Sequence, residues 1–222
     1  MEYRSDRGRS LNILAELQRA LHEETDRALA RAFAEAEARA GKPYACHAGC
    51  SACCHQLVLC TAAEAMLIAD QLRATLSGPE LEATRGKLAE QSNAAAGLGF
   101  FEHARRKIPC ALLDRTGLCS IYPVRPMACR ALKSFSVAAC EQAPESPADL
   151  GRSRIPGCGP GLRTAQSLGV LHYRMLAEQA HLEPGDFTLV LSRAVELALA
   201  AESKELPAFG SSRCPAQDAH LR

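Results

Sequence analysis

Eleven cysteines punctuate this 222-residue chain, and four of them fall within nine residues, Cys46-x3-Cys50-x2-Cys53-Cys54, in the string CHAGCSACCHQ. Three more follow as Cys110-x8-Cys119-x9-Cys129, then Cys140 in SVAAC and Cys158 in PGCGPG, while Cys60 and Cys214 stand apart. A chain of this kind must cross-link its thiols or give them to a metal. The odd count leaves at least one thiol over in any internal disulfide scheme. The first ten residues carry five charges and no apolar core, so they do not read as an export signal. The expected compartment is therefore the cytoplasm, where structural disulfides are rare. Clustered thiols in a reducing compartment point to metal, and soft thiolate selects zinc, copper(I) or iron–sulfur clusters.

Composition narrows the remaining classes. Apolar residues at 47% and charged residues at 23% are globular values. A net charge of +1 supplies no basic field for nucleic acid. No apolar run reaches the roughly 20 residues that a membrane span needs. With no Trp and few aromatics, the core must come from Leu, Ala and Val.

The apolar pattern divides the chain into five parts. Residues 1–43 hold an N-terminal amphipathic helix over about 10–40, with Leu11, Leu14, Leu21, Ala28, Ala32, Ala36 and Ala40 as its stripe. Gly41 and Pro43 stop it. Residues 44–140 form the cysteine module, with helices expected at about 62–76, 79–96 and 100–107. Thr61 and Glu64 have the spacing of a capping box. Asp114-Arg115-Thr116-Gly117 reads as a turn, and Pro123 and Pro126 exclude regular strand pairing there. Residues 141–161 read as a loop. Residues 162–204 read as a C-terminal helical hairpin, with helices at 162–182 and 187–203 and Asp186 as a cap. Residues 205–222 read as a tail. The expected fold class is mainly α, with an irregular cysteine-rich metal-binding centre packed among helices.

Within the centre, Gly49 allows a tight turn, and small Ala48, Ser51 and Ala52 let amides approach sulfur. Adjacent side chains point apart on a regular backbone, so Cys53 and Cys54 are not expected at two corners of one mononuclear site. Either each serves a different metal, or one is a ligand and the other a packed thiol. Eight thiolates outweigh the charge of two divalent ions, so nearby cations are needed. Arg125 and Arg130 are the candidate residues supporting the cofactor, with Lys133 beside them. Pro126 at the start of a short helix would leave free N–H groups near the site. Cys60 is expected in the core and Cys214 as a free thiol. His47 and His55 flank ligands and are read as lying outside the ligand set.

The opening CxxxCxxCC, together with Cys110 and CSIYPVRPMACR at Cys119 to Arg130, resembles the YkgJ-type cysteine-cluster family of zinc- or iron-chelating domains. The resemblance covers about residues 44–140. It implies metal chelation and about eight ligands: Cys46, Cys50, Cys53, Cys54, Cys110, Cys119, Cys129 and Cys140, with Cys158 the alternative for the eighth. It implies no particular reaction.

Two neighbouring readings fail. Cys-x3-Cys-x2-Cys is also the ligand spacing of radical S-adenosylmethionine enzymes, but those build a strand–helix barrel and this chain continues in Ala/Leu-rich helices. Cys50-x2-Cys53 lacks the βαβ context of a disulfide oxidoreductase. Between metals, zinc ribbons bring two C-x2-C knuckles, whereas this chain has one such pair. That tips the expectation slightly to an iron–sulfur cluster over zinc, in a redox or accessory protein. The alternative is a zinc-stabilised interaction module without turnover. Metal ions are the expected partners, with a protein partner through the terminal helices; neither membrane nor nucleic acid is indicated.

Overall fold

The computed structural model describes residues 2–142, 155–180 and 188–201. The protein is mainly helical, as its patterning predicts. Helix α1 spans Glu2–Ala40, about 58 Å at 1.5 Å per residue. Its buried stripe runs Leu14, Gln18, Leu21, Thr25, Leu29, Phe33, Ala36. The second half of the stripe therefore lies one residue on from Ala28 and Ala32. Leu29 and Phe33 remove more apolar area from water than alanines would, and that decides which face turns inward. Thr25 is tolerated there because its hydroxyl donates to the Leu21 carbonyl at 2.8 Å.

Helix α2 (Ala62–Thr75) starts on the expected capping box: the Thr61 side chain accepts from the Glu64 amide, and Glu64 accepts from the Thr61 amide. Helix α3 (Gly78–Ala95) has a second capping box at Ser77 and Glu80, with proline in its first turn. Helix α4 (Phe100–Arg106) ends at Lys107, whose φ of 50° stops it. Two short helices lie in the second cysteine region, α5 (Met127–Arg130) and α6 (Val137–Glu141). Helix α7 spans Cys158–Ala180 and α8 spans Leu191–Ala200.

A feature absent from the helical reading is a two-stranded antiparallel ribbon. Strand β1 (Leu59–Thr61) pairs with β2 (Thr188–Val190) in the register Leu59↔Val190, Cys60↔Leu189, Thr61↔Thr188. It replaces the expected start of a helix at 187. Among the described residues the two C-terminal helices have different main partners, and the connection of the expected hairpin, 181–187, lies outside those residues. Helix α7 lies along α1 and α5, while α8 packs on α2 and α3. Arg73 and Arg85 hold the end of α8, donating to the carbonyls of Ala198, Leu199 and Ala201. Those are carbonyls the helix itself leaves unpaired.

The main core joins α2, α3 and α8 with Cys60, and takes Leu112 and Ile121 from the cysteine module. Cys60 thus lies in the core as expected. A second cluster joins Leu29, Phe33 and Ala36 of α1 to Tyr44 and Ala131. Gly161 lets α7 sit close here, because a Cβ at that position would run into the Ala131 carbonyl and the Phe33 ring. The expected cap at Asp186, the tail and Cys214 lie outside the described residues, as does 143–154 of the expected loop.

Candidate metal centre

The first cysteine loop is shaped by its own backbone. Gly49 at φ 83° and the bond from Cys50 N to the His47 carbonyl (3.1 Å) close the turn between Cys46 and Cys50. A short 3-10 helix, Ala52–His55, then carries Cys53 and Cys54, with Cys54 N donating to Ser51 at 2.8 Å. The second region docks onto the end of this loop, where Cys110 N donates to the Cys54 carbonyl at 2.8 Å. The predicted turn at Asp114–Gly117 forms. Asp114 Oδ1 accepts from the amides of Thr116 and Leu118, and Leu113 bridges Cys119. Pro126 caps α5, which carries Cys129.

The other end of the first loop docks elsewhere. Ala45 N donates to the Ser134 carbonyl at 2.9 Å, and Ser134 N points at Cys46 Sγ at 3.3 Å. This N–H···S contact comes from Ser134, not from the small residues beside Cys50. Ser136 caps α6 by accepting from Ala139 N, and α6 brings Cys140 against the 3-10 helix of Cys53 and Cys54.

The electrostatics trace the same assembly. Burial pushes the Cys129 thiol up, and Cys110, Cys53 and Cys119 add to the rise. Burial raises Cys110 to about 11, with Cys119 and Cys53 contributing. Cys140 is raised by burial and then by Cys46, Cys53 and Cys50. Cys53 is thus felt on both sides of the module. Its own thiol is raised first by a hydrogen bond with Cys54 and then by burial. The adjacent pair is therefore coupled in charge, both thiols being carried on one short 3-10 helix.

The cations sort less evenly than their sequence positions suggest. Arg125 faces Cys53 and Cys119, lowering both thiols against the stronger effect of burial, and its guanidinium lies 4.2 Å from the Tyr122 ring. Arg130 turns away from the thiols and is buried. It pairs with Asp26 and donates to the carbonyls of Arg125 (2.8 Å) and Pro123 (2.6 Å). A buried guanidinium needs its donors satisfied, and these acceptors lie between α1 and α5. Lys133 stands over the Phe33 ring at 4.7 Å. The Met127 amide at the start of α5, expected to be free, donates to Glu64 Oε1 at 2.8 Å. His47 is exposed, with Nδ1 2.9 Å from the Ala48 carbonyl, and His55 lies against buried His103. Sequence reasoning missed Glu64 as the anchor of α5 and Ser134 as the amide donor to Cys46. Neither has a motif to mark it.

With this geometry in place, comparison with known families bears on the cysteine module alone. Residues 45–146 match the CxxCxxCC family, described as a putative zinc- or iron-chelating domain. No curated protein and no solved structure matches the chain. The CxxCxxCC segment contains the eight thiols that the resemblance implied. Its first interval here is one residue longer than the family's name, and that interval is the turn built on Gly49.

The donor type, cysteine thiolate, suits a soft metal such as zinc or the iron of a cluster. Thiols from the first loop, from Cys110 and Cys119, from α5 and from α6 lie within electrostatic reach of one another, with a guanidinium beside them. Among the described residues no three of these groups converge on one point as they stand. A cysteine sulfur, however, swings through a single χ1 rotation. Burial that holds thiols protonated means that a bound ion must displace protons.

Proposed function

We propose that the module binds an iron–sulfur cluster through thiolates of Cys46, Cys50, Cys53, Cys54, Cys110, Cys119, Cys129 and Cys140, in a redox or accessory role. The observation that carries this is the family match over the segment that holds all eight thiols, which the fold draws from the first loop, the Asp114 turn, α5 and α6. Such a cluster, when bound, supplies one-electron chemistry whose potential depends on charge, burial and hydrogen bonds to sulfur. This chain's own residues would set those terms. Ser134 offers its amide to Cys46, and Arg125 offers positive charge to Cys53 and Cys119. Exposed Val170 and Leu171 on α7 support a protein partner at the terminal helices. Among the described residues no helix is long and apolar enough to cross a membrane.

Zinc is the competing occupant, and the family description names both metals. Metal and acid-labile sulfide content of anaerobically purified protein decides between them, read with the visible spectrum. Iron with matching sulfide, and colour that bleaches with dithionite, supports the proposal. Zinc without sulfide makes the centre structural, with function sought on the helical surfaces. Protein that takes up neither metal refutes chelation.

A further inference from the structure

We propose that His172, in the second half of α7, is an acid-sensitive latch whose protonation loosens the hold of that half of the helix on α1. The inference does not depend on chelation. It concerns the buried polar junction that α7 closes over α1.

That junction is crowded with groups that can carry charge. His172 is only 2% exposed. From α1 it faces Glu24, whose Oε2 lies 3.4 Å from Nε2, and His22; from α2 it faces Glu64. From α5, Arg130 enters the same junction by donating to His22 Nδ1 at 3.3 Å, and it is itself paired with Asp26. These partners treat the two histidines differently. His22 is fixed between Arg130 on one nitrogen and Glu64, 3.5 Å away, on the other. Among the described residues neither ring nitrogen of His172 has a hydrogen-bond partner, so Glu24 stands at ion-pair distance only.

A neutral ring suits this setting and an imidazolium does not. Protonation gives both nitrogens an N–H, and a buried charge is costly unless it is paired and hydrogen-bonded. Glu24 offers one carboxylate, but its side chain is 50% exposed, so solvent screens the pair. Glu64 already accepts from the amides of Thr61 and Met127. Burial accordingly holds the His172 ring below the ordinary imidazole value, helped by His22 and opposed by Glu24 and Glu64. Swung free of α1, the ring meets water and takes its proton at the ordinary value of about 6.5. The docked helix thus binds fewer protons than the released one. Docking is fully present above about pH 6.5 and weakens as pH falls, by up to about tenfold per pH unit, until the docked ring itself titrates. The apolar contact given up is small: Leu176 against Leu14 and Leu21 of α1 and Ala63 of α2. The first half of α7 has other moorings, the Tyr44 bond to the Gly157 carbonyl and the close fit of Gly161 on Ala131 and Phe33. Release is therefore confined to the second half.

The test is hydrogen exchange of the full chain as purified, at about pH 7.5 and about pH 5.5, either side of the ordinary imidazole value. Protection is read peptide by peptide and corrected for the intrinsic pH dependence of exchange. Wild type is compared with His172→Leu, and α8 is the internal reference. In wild type, protection of residues 168–180 is expected to fall about three- to tenfold at the lower pH, while 191–200 keeps its value. In His172→Leu the fall disappears. Equal wild-type protection of 168–180 at the two pH values overturns the inference. So does a fall that His172→Leu shares, because acid loss of a metal from the cysteine thiols, or titration of another group, acts on both proteins alike. Should His172→Leu lose its helicity, His172→Gln, polar but without a titrating ring, takes its place and faces the same two outcomes.

Discussion

Glu64 is the residue whose replacement tests most sharply how the cysteine module is fastened to the helices. It is 5% exposed and its two oxygens are divided: Oε2 accepts from Thr61 N at 2.9 Å, and Oε1 accepts from Met127 N at 2.8 Å. His22 Nε2 lies 3.5 Å from Oε1. Arg130 donates to His22 Nδ1 at 3.3 Å, so Nε2 carries the proton and faces the carboxylate. Glu64→Gln keeps the shape but leaves one acceptor. The amide oxygen must take the Oε1 position, where Met127 N and His22 both point, and its NH2 then confronts Thr61 N. An orphaned buried N–H costs about 1–3 kcal/mol, and exchanging a charged for a neutral acceptor at Met127 costs about 1 kcal/mol more. The expected loss is about 2–4 kcal/mol, or about 5–15 °C in melting midpoint for a chain of this size. Burial pushes the Glu64 carboxyl up, but the nearby His22 ring and hydrogen bonds from the Met127 and Thr61 amides together hold it below the ordinary value. The stability it contributes is therefore present above the unfolded carboxyl pKa of about 4.3 and is lost as pH falls through the lower folded value. Urea unfolding at pH 7 and at successive values below about pH 4 reads both effects, and the gap between wild type and Glu64→Gln must narrow across that acid range. A gap below about 0.5 kcal/mol at pH 7, or one that does not narrow, refutes the reasoning.

The packing makes opposite forecasts for two helical glycines. Gly161→Ala drives a methyl into the Ala131 carbonyl and the Phe33 ring, and should destabilise by about 1–3 kcal/mol. Gly86→Ala in α3, with nothing within 4 Å, should stabilise by up to about 1 kcal/mol. Thermal unfolding of the pair checks the sign of each. Tyr44→Phe removes the hydroxyl bond to Gly157 and should cost about 0.5–1.5 kcal/mol, with faster hydrogen exchange at the start of α7. Arg125→Ala removes the guanidinium that faces Cys53 and Cys119. Metal affinity should fall by about tenfold, measured by competition with a chelator, while helicity stays unchanged.

The limits of the sequence reading follow from which interactions are local. Capping at Thr61 and Glu64, the turn at Asp114 and the start of α5 at Pro126 depend on residues a few positions apart, so their chemistry is visible in the string itself. Thiol clustering is legible for the same reason, because ligand spacing is a short-range constraint. The destinations of Arg130 and of the Met127 amide were not legible. Each is claimed by an acceptor in another element, Asp26 in α1 and Glu64 in α2, and proximity to Cys129 in sequence said nothing about that competition. The β1–β2 ribbon was missed because two three-residue strands far apart in sequence have no period to detect. Helices α7 and α8 likewise take different main partners, α1 and α5 for one and α2 and α3 for the other, and no local pattern in the string announces which element a given apolar face will meet.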